Sequence, residues 1–218
     1  MLGSASSISD TNVMLNTMVA DTFAVFADRL ETAGDTEAEG KNIIKETVKA
    51  HKRIIFNGDG YSDEWQREAA KRGLLNLKST PDALPLLKTE ENIALFERHG
   101  VLSRAEIESR VDIVLENYSK ILHIEALTLI EMVIPAISEY TDRLCTALIN
   151  KRKLGIKLDE HADTEIIARL SAADGEIYKL TSELKMAVMT AEKIPNMLER
   201  SRMYHDTVLR LMNDIRKY

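Results

Sequence analysis

The sequence has 218 residues, of which 44% are apolar and 29% charged, as expected for a globular protein of one or two domains with a real core. Its net charge of −6 argues against a nucleic-acid-binding face, which normally brings a basic balance, so we expect no nucleic-acid partner. Aromatic residues are only 5%, with 9 Gly and 4 Pro, which favours helices over a sheet.

Nothing at the start of the chain resembles a signal peptide, because residues 1–10 have neither a basic nor an apolar region. The most apolar run, residues 121–137, is interrupted by His123, Glu125 and Glu131, so we expect it to be too short and too charged to cross a bilayer. The single cysteine, Cys145, lies in an apolar helical pattern where we expect it buried. One cysteine suits a reducing compartment, and the sequence predicts a cytoplasmic protein without a membrane partner.

The first predicted helix covers residues 12–32, after a polar Gly/Ser-rich segment, and Gly34 ends it. The side chains of one mostly apolar face recur at helical spacing: Leu15, Met18, Val19, Thr22, Phe23, Phe26 and Leu30. A chain that opens with a loop and one apolar-faced helix suggests a piece of a larger domain.

A second helix is predicted from the capping box Thr36-Glu37-Ala38-Glu39 to about Phe56. One broad face carries Ile43, Ile44, Thr47, Val48, His51, Ile54 and Ile55. The cluster His51-Lys52-Arg53 near its end has two explanations. It interacts favourably with the helix dipole, or it contacts an acidic neighbour in an oligomer.

A turn is predicted at Asn57-Gly58-Asp59-Gly60, followed by a helix over residues 63–72 with Ser62 as N-cap and Gly73 after its end. A phosphate at this helix start would be repelled by Asp59, Asp63 and Glu64. A calcium loop from Asn57 to Glu68 would place Tyr61 at its fifth position and Ser62 where the sharp turn needs Gly. A structural turn with Trp65 as a packing anchor is therefore preferred.

Short helices are predicted next, at Thr80-Pro81-Asp82 and from Thr89 to Gly100, and a second capping box at Ser103-Arg104-Ala105-Glu106 opens the longest element. Residues 103–153 contain no Gly and one Pro, Pro135, with apolar residues at a mean spacing of about 3.7, close to that of a straight α-helix. Other faces are apolar as well (Ile121, Ile124, Ile130, Ile134), so this helix is predicted at the centre of a bundle. Pro135 must kink it or lie where a break is tolerated.

A reversal is predicted at residues 154–158 around Gly155, with Asp159 capping a return helix. Its seam, apolar except at Ser201 and His205, advances by alternating steps of four and three, the coiled-coil period: Ile166, Leu170, Ala173, Ile177, Leu180, Leu184, Ala187, Ala191, Ile194, Leu198, Ser201, His205, Val208, Met212 and Ile215. The phase survives Pro195, which favours a kinked continuing helix, although Pro195 would also suit the first position of a new one. The predicted fold is all-α, a helical bundle built around a long antiparallel helical hairpin. The seam would pack on the partner helix or, alternatively, on another subunit.

The stretch from His51 to Leu74, HKRIIFNGDGYSDEWQREAAKRGL, closely resembles the C-terminal part of type III glutamine synthetases, which carry a segment of the form HKRIIFNG-x-GYS-x-EW-x-x-EA-x-x-RGL. The resemblance extends to residues 12–17, to residues 80–85, to Ser109-Arg110 and into the long helices. It covers nearly the whole chain.

The resemblance implies a complete enzyme that joins ammonia to glutamate with ATP and Mg or Mn. In glutamine synthetases a similar loop and helix follow the last catalytic strand, so the catalytic, nucleotide-binding and metal-binding residues would lie upstream. It implies no catalytic, cofactor-binding or metal residue in this chain, which alone would be inactive. It also implies two kinds of partner, namely the upstream catalytic domain and other copies in a large homo-oligomer.

Three regions are predicted on this basis. Residues 1–34 form the tail of the upstream catalytic domain, residues 35–102 form short helices around the Gly-x-Gly turn, and residues 103–218 form the long helical hairpin. Whether the helical region makes oligomer contacts or only braces the catalytic domain is not readable from the sequence.

The five histidines (51, 99, 123, 161 and 205) lie far apart in sequence. His161 and Glu165 share a helix face and would supply two metal ligands, but without a third a surface pair is the simpler explanation. His205 is interpreted as a core or rim residue, and His123 and Glu125 do not share a face. No phosphate-binding loop, dinucleotide fingerprint or nucleophile elbow occurs.

Two hypotheses of function compete. The chain is the C-terminal region of a type III glutamine synthetase, or it is a stand-alone helical interaction module without enzymatic activity. The first predicts an exposed apolar face around Phe23, Phe26 and Leu30, whereas a module would cover it. A third hypothesis, a small-molecule-binding bundle, lacks a polar cluster pointing into the apolar seam.

Overall fold

The computed structural model describes residues 7–155 and 160–218, without the side chains of residues 138 and 160–163. The described residues form helices and no strand, which confirms the all-α class. The elements in chain order are α1 (Ser9–Glu31), α2 (Thr36–Ala50), a 3₁₀ turn (Lys52–Ile54), α3 (Asp63–Lys71), α4 (Thr80–Ala83), a second 3₁₀ turn (Leu84–Lys88), α5 (Glu90–Arg98), α6 (Arg104–Lys153), α7 (Glu160–Glu192), α8 (Met197–Met203), a π-helical turn (Tyr204–Val208) and α9 (Leu209–Ile215).

The chain divides into two compact units, Met1–Val111 and Asp112–Tyr218, with the boundary inside α6. In the first unit a small core forms around Ile93, Phe96 and Ile107. Two of the residues packed against this core, Val13 and Met14, come from α1. The predicted division at residues 34 and 102 stays a prediction.

Several predicted helix ends are confirmed. The Ser62 hydroxyl caps α3 by accepting from the Trp65 amide at 3.2 Å, and Gly73 follows α3 with a φ of 70°. The Ser103–Glu106 box closes in both directions, since the Glu106 carboxylate accepts from the Ser103 amide at 2.8 Å and the Ser103 hydroxyl accepts from the Glu106 amide at 3.4 Å.

Two predicted helix starts are wrong by one residue, and one predicted end is too late. Asp35 rather than Thr36 caps α2, and its carboxylate accepts from two backbone amides at 3.1 and 3.0 Å. Ser79 rather than Thr80 caps α4. The second helix ends at Ala50, where a 3₁₀ turn replaces its predicted continuation to Phe56.

α6 is one helix across Pro135, as the period predicts, but its predicted place at the centre of a bundle is wrong within the described chain. One face is buried in the core of the second unit, through Leu122, Ala126 and Ile130. The other face is open to solvent, with Ile121 56% exposed and Ile124 63% exposed. Cys145, predicted to be buried, is only half-buried.

By length and composition α6 is able to span a membrane, because an 18-residue window in it has a mean hydropathy of 1.7. Only 18% of that window is buried. By these criteria of length and composition, the expectation that residues 121–137 are too short and too charged to cross a bilayer is wrong. One such helix is weak evidence, since the core helix of a soluble protein meets the same two criteria.

The second unit is built on α7, against which the C-terminal helices fold back. α7 ends at Glu192, and the Asn196 side chain caps α8 by accepting from the Glu199 amide at 3.0 Å. The predicted kinked continuing helix at Pro195 is therefore wrong: Pro195 lies just before a new N-cap. The seam is buried at most positions from Ile177 onward, whereas Ile166 is 45% exposed. The common core comprises Leu122, Ala126, Ile130, Ile177, Leu184, Ala187, Val188, Ala191, Tyr204, Val208, Leu211, Met212 and Ile215.

The predicted reversal falls largely outside the described residues. Gly155 follows the end of α6 with a φ of 69°, a backbone conformation that suits glycine. Residues 156–159, including the predicted cap Asp159, are not described. The antiparallel hairpin is thus not confirmed.

Candidate functional site

The stretch that carries the family resemblance is a self-contained structural turn. The Asp59 carboxylate accepts from the Tyr61 amide at 2.9 Å, and the Asp59 carbonyl accepts from the Ser62 hydroxyl at 2.7 Å. The Tyr61 amide that a phosphate would need and the Asp59 carboxylate that a cation would need are therefore already hydrogen-bonded within the turn. This geometry favours the structural interpretation over either ligand site.

Trp65 is the packing anchor of this turn, as predicted. Its ring stacks on Phe56 with centroids 4.4 Å apart, and the Arg72 guanidinium lies 5.7 Å from its centroid. Arg72 also donates to the carbonyls of Arg53 at 3.2 Å and Ile55 at 2.8 Å. Gly58 is required by close approach, because a Cβ there would lie 2.5 Å from the Phe56 ring.

A broad open concavity of about 960 Å³ lies beside this turn, on α2 and the 3₁₀ turn after it. We call it the α2 surface. Four of its cations, Lys45, Lys49, Lys52 and Arg53, have side chains without an anionic partner among the described residues. Two members of the predicted His51-Lys52-Arg53 cluster therefore belong to a larger basic surface. Its lining residues are Ile44, Lys45, Val48, Lys49, Lys52, Arg53, Ile55, Asn57 and Arg72.

A second, smaller cleft of about 200 Å³ lies in the second unit, where α8 and the π-helical turn meet α6. The His123 Nδ1 lies 3.0 Å from the Tyr204 hydroxyl, and its Nε2 lies 3.6 Å from a Glu192 carboxylate oxygen. Tyr204 is only 2% exposed, and burial raises the pKa of its phenol, with a smaller contribution from the Glu192 charge.

The charged groups around this cleft are largely engaged already. Lys120 lies 2.9 Å from Glu116, and the Arg200 Nε donates to the Ile194 carbonyl at 2.7 Å. The polar groups around the cleft therefore pair with one another inside the second unit. None of them resembles an activated nucleophile. Sequence reasoning missed this cluster, because it considered His123 only with Glu125. The contact with Tyr204 needs the chain to fold back after Pro195.

Of the other histidines whose side chains the structure describes, two are paired and His51 is exposed. His99 Nε2 lies 2.8 Å from the Asp21 carboxylate, and His205 Nδ1 lies 2.8 Å from Asp206 at the rim of the unit, as predicted for His205. The side chain of His161 lies outside the described residues, so its predicted pairing with Glu165 is not tested. Among the residues that the structure describes, no group of three His, Cys, Asp or Glu is arranged to hold a metal ion.

Comparison with known proteins finds one family over most of the central chain. Residues 40–152, just over half of the chain, match the family described as "Glutamine synthetase C-terminal domain". A glutamine synthetase of Butyrivibrio fibrisolvens is 42% identical over 185 residues, which cover 82% of this chain and 26% of that protein. The type-3 glutamine synthetase of Dictyostelium discoideum is 38% identical over 135 residues, 61% of this chain and 18% of that protein.

A third relative, a glutamine synthetase of Bacteroides fragilis, is 28% identical over 229 residues, which cover 99% of this chain and 31% of that protein. The chain thus spans between about a fifth and a third of the length of these relatives.

Proposed function

We propose that this chain, which belongs to the glutamine synthetase family, is the C-terminal helical part of a type III enzyme. In that enzyme it would support the catalytic domain and the assembly of the oligomer. The complete enzyme would join ammonia to glutamate with ATP and Mg or Mn in the cytoplasm. Its catalytic, cofactor-binding and metal residues would lie in another part of the polypeptide. The present chain would be inactive alone.

The exposed apolar face of α1 is the observation that carries this proposal. Phe23 is 65% exposed, and Leu15 and Met18 are each 55% exposed. Phe26 and Leu30 are half-buried, so the predicted exposure holds for part of the face. A contiguous apolar face of this kind marks a surface that another protein segment covers. A catalytic domain on the same polypeptide would supply that segment.

A supporting role also suits the helical architecture. The core of the second unit joins Leu122 and Ala126 of α6 to Leu184 and Val188 of α7. We propose that α6 and α7 form the antiparallel hairpin that the sequence predicts. Such a hairpin would brace the polypeptide to which it is attached.

The test is an assay of three proteins: the complete product of the reading frame, the same product without these 218 residues, and the chain alone. We expect the complete product to form glutamine from glutamate, ammonia and ATP and to sediment as an oligomer. The truncated product is expected to lose assembly, activity or both, and the chain alone to be inactive. A complete product that keeps both properties without the chain would refute the supporting role.

The role of α1 can be tested in the same complete protein. Phe23→Asp places a charge on the apolar face and is expected to reduce assembly or activity. Tyr61→Asp is the matched control, because Tyr61 is 98% exposed in a surface turn. A reading frame that closes just upstream of the chain would favour the alternative, a stand-alone helical interaction module.

A further inference from the structure

Within the part of the chain that the structure describes, two surfaces combine exposed apolar side chains with charges that have no partner there, and these charges have opposite signs. The first is the α2 surface. Ile44 is 66% exposed and Val48 51% exposed, one helical turn apart on α2. Lys45 and Lys49 follow them with the same spacing, and Lys52 and Arg53 extend the basic row beyond the helix. The result is an apolar ridge bordered by four cations that have no anionic partner among the described residues, in a chain whose net charge is −6.

The second surface is the outer face of α6, which we call the α6 stripe. It follows the helix in steps of three, four, four and three, through Ile121, Ile124, Thr128, Met132 and Pro135. Ile124 is 63% exposed and Met132 66% exposed. Glu125 and Glu131 are exposed on either side of this stripe, and neither has a partner in the described part of the chain.

The charges decide what covers the stripe. If two stripes paired antiparallel about Thr128, Glu125 of one copy would face Glu131 of the other. The two facing carboxylates would repel each other. A partner must therefore offer cations beside apolar side chains, which the α2 surface does. The two glutamates are six residues apart, about 9 Å along α6, and Lys45 and Lys49 are four residues apart, about 6 Å along α2, with Lys52 and Arg53 extending the row beyond the end of that helix.

We propose that the α6 stripe of one copy docks on the α2 surface of a second copy, with Glu125 and Glu131 pairing with the lysines beside Ile44 and Val48. The contact is head-to-tail, because two different surfaces of the chain meet. Contacts of this type generate rings when the rotation closes. The inference rests on the proposed role in assembly and names the surfaces that carry it.

The test uses two charge-reversal variants of the full 218-residue chain, studied by sedimentation velocity over a range of protein concentrations. The variant Lys45→Glu/Lys49→Glu places carboxylates at the two α2 positions proposed to pair with Glu125 and Glu131, and Glu125→Lys/Glu131→Lys places lysines at the two stripe positions. Each variant alone would then bring like charges together at both proposed ion pairs, so self-association should weaken by more than about tenfold. An equimolar mixture restores opposite charges at every contact and should recover association. High salt should weaken association of the unmodified chain.

Matched controls carry the same change in charge elsewhere. Lys185→Glu/Lys193→Glu and Glu165→Lys/Glu183→Lys alter exposed residues of α7 and its end, and they should associate like the unmodified chain. Recovery in the mixture requires folded proteins, so it separates a lost contact from a failure to fold.

The outcomes distinguish the docking contact from the assembly role. If the chain associates and neither charge reversal weakens it, the docking contact is wrong and the assembly role stands. If both reversals weaken association but the mixture does not recover, these surfaces do not bind each other, and the proposal is overturned. If the unmodified chain stays monomeric at every concentration, the docking contact fails, and the assembly role depends on the sedimentation of the complete enzyme.

Discussion

Asp21 ties α1 to the end of α5. Its carboxylate lies 2.7 Å from an Arg98 guanidinium nitrogen and 2.8 Å from the His99 Nε2. The hydrogen bond from His99 is the largest cause that lowers the pKa of Asp21 below its usual value of 3.8. Desolvation opposes it, and the hydrogen bond and charge of Arg98 lower the pKa further. α1 has few buried side chains, with Thr17 the one fully buried, so such polar links contribute to its position.

Replacing Asp21 should therefore affect stability in a pH-dependent way. A carboxylate whose pKa is lowered on folding stabilises the folded state above its unfolded pKa, and this contribution is lost as the pH falls through the folded value. We expect Asp21→Asn to lower the thermal midpoint at pH 7 by the small amount typical of exposed pairs, and the difference to shrink below about pH 4. Melts at several pH values measure it.

Asp28→Asn on the same helix is the control, because Asp28 is exposed and its side chain has no partner among the described residues. It should leave the midpoint unchanged at every pH. A difference between Asp21→Asn and the unmodified chain that persists unchanged to pH 2 would contradict the linkage argument.

The helix caps show how far single residues can be predicted. At Ser62 and Ser103 one good cap stands alone, and the prediction is confirmed. At Asp35-Thr36 and Ser79-Thr80 two good caps are adjacent, and the structure uses the first. Asp35 and Ser79 have the extended backbone that an N-cap needs, with φ of −131° and −119°. Which of the two adjacent residues has the extended backbone depends on the path of the preceding chain. The identity of the two residues does not reveal that path.

At the scale of elements, the region around Pro195 shows that a regular apolar period in the sequence does not require one continuous helix. The alternating steps of four and three run through Pro195 unchanged, yet the helix stops at Glu192 and a new one begins at Met197. Both segments bury side chains in the same core, including Leu184 before the break and Met212 after it. Periodicity therefore predicted the buried face correctly, but it does not reveal whether one helix or two supply that face.

The cap of α8 should be measurable. Asn196→Ala removes the acceptor for the Glu199 amide and is expected to destabilise the chain by about 1 kcal/mol. Asn117→Ala is the control, because Asn117 is exposed inside α6, where alanine is the better helix former. Urea unfolding would give both free energies. Equal effects of the two substitutions would show that the cap contributes nothing specific.

At the scale of the whole molecule, the apolar residues that the structure describes divide between two cores and several open faces. The all-α class and most helices could be predicted, because they follow from local period and capping. The open face of α6 could not be distinguished from a buried one, since both show the same apolar pattern, and the open face of α1 is expected only through the family resemblance. The contact of His123 with Tyr204 also depends on the folded path, because 81 positions separate the two residues.

Substitutions of two phenylalanines would test this division between buried cores and open faces. Phe96 is 3% exposed in the core of the first unit, whereas Phe23 is 65% exposed on α1. We expect Phe96→Ala to cost about 3–5 kcal/mol and Phe23→Ala less than about 0.5 kcal/mol in the isolated chain. Denaturant unfolding measures both values. A comparable loss from Phe23→Ala would mean that the face of α1 is packed within the chain and is not a docking face.

The π-helical turn at Tyr204–Val208 has a consequence for the length of the polypeptide. The Leu209 amide bonds to the Tyr204 carbonyl five residues back, so the turn holds one residue more than a regular α-helical turn. Removing one residue there would close the turn into regular helix and leave Met212 and Ile215 facing the same core. The same deletion within α7 would rotate every later side chain by about 100° and turn the core residues outward. Deletion of a single residue is therefore best absorbed at this turn.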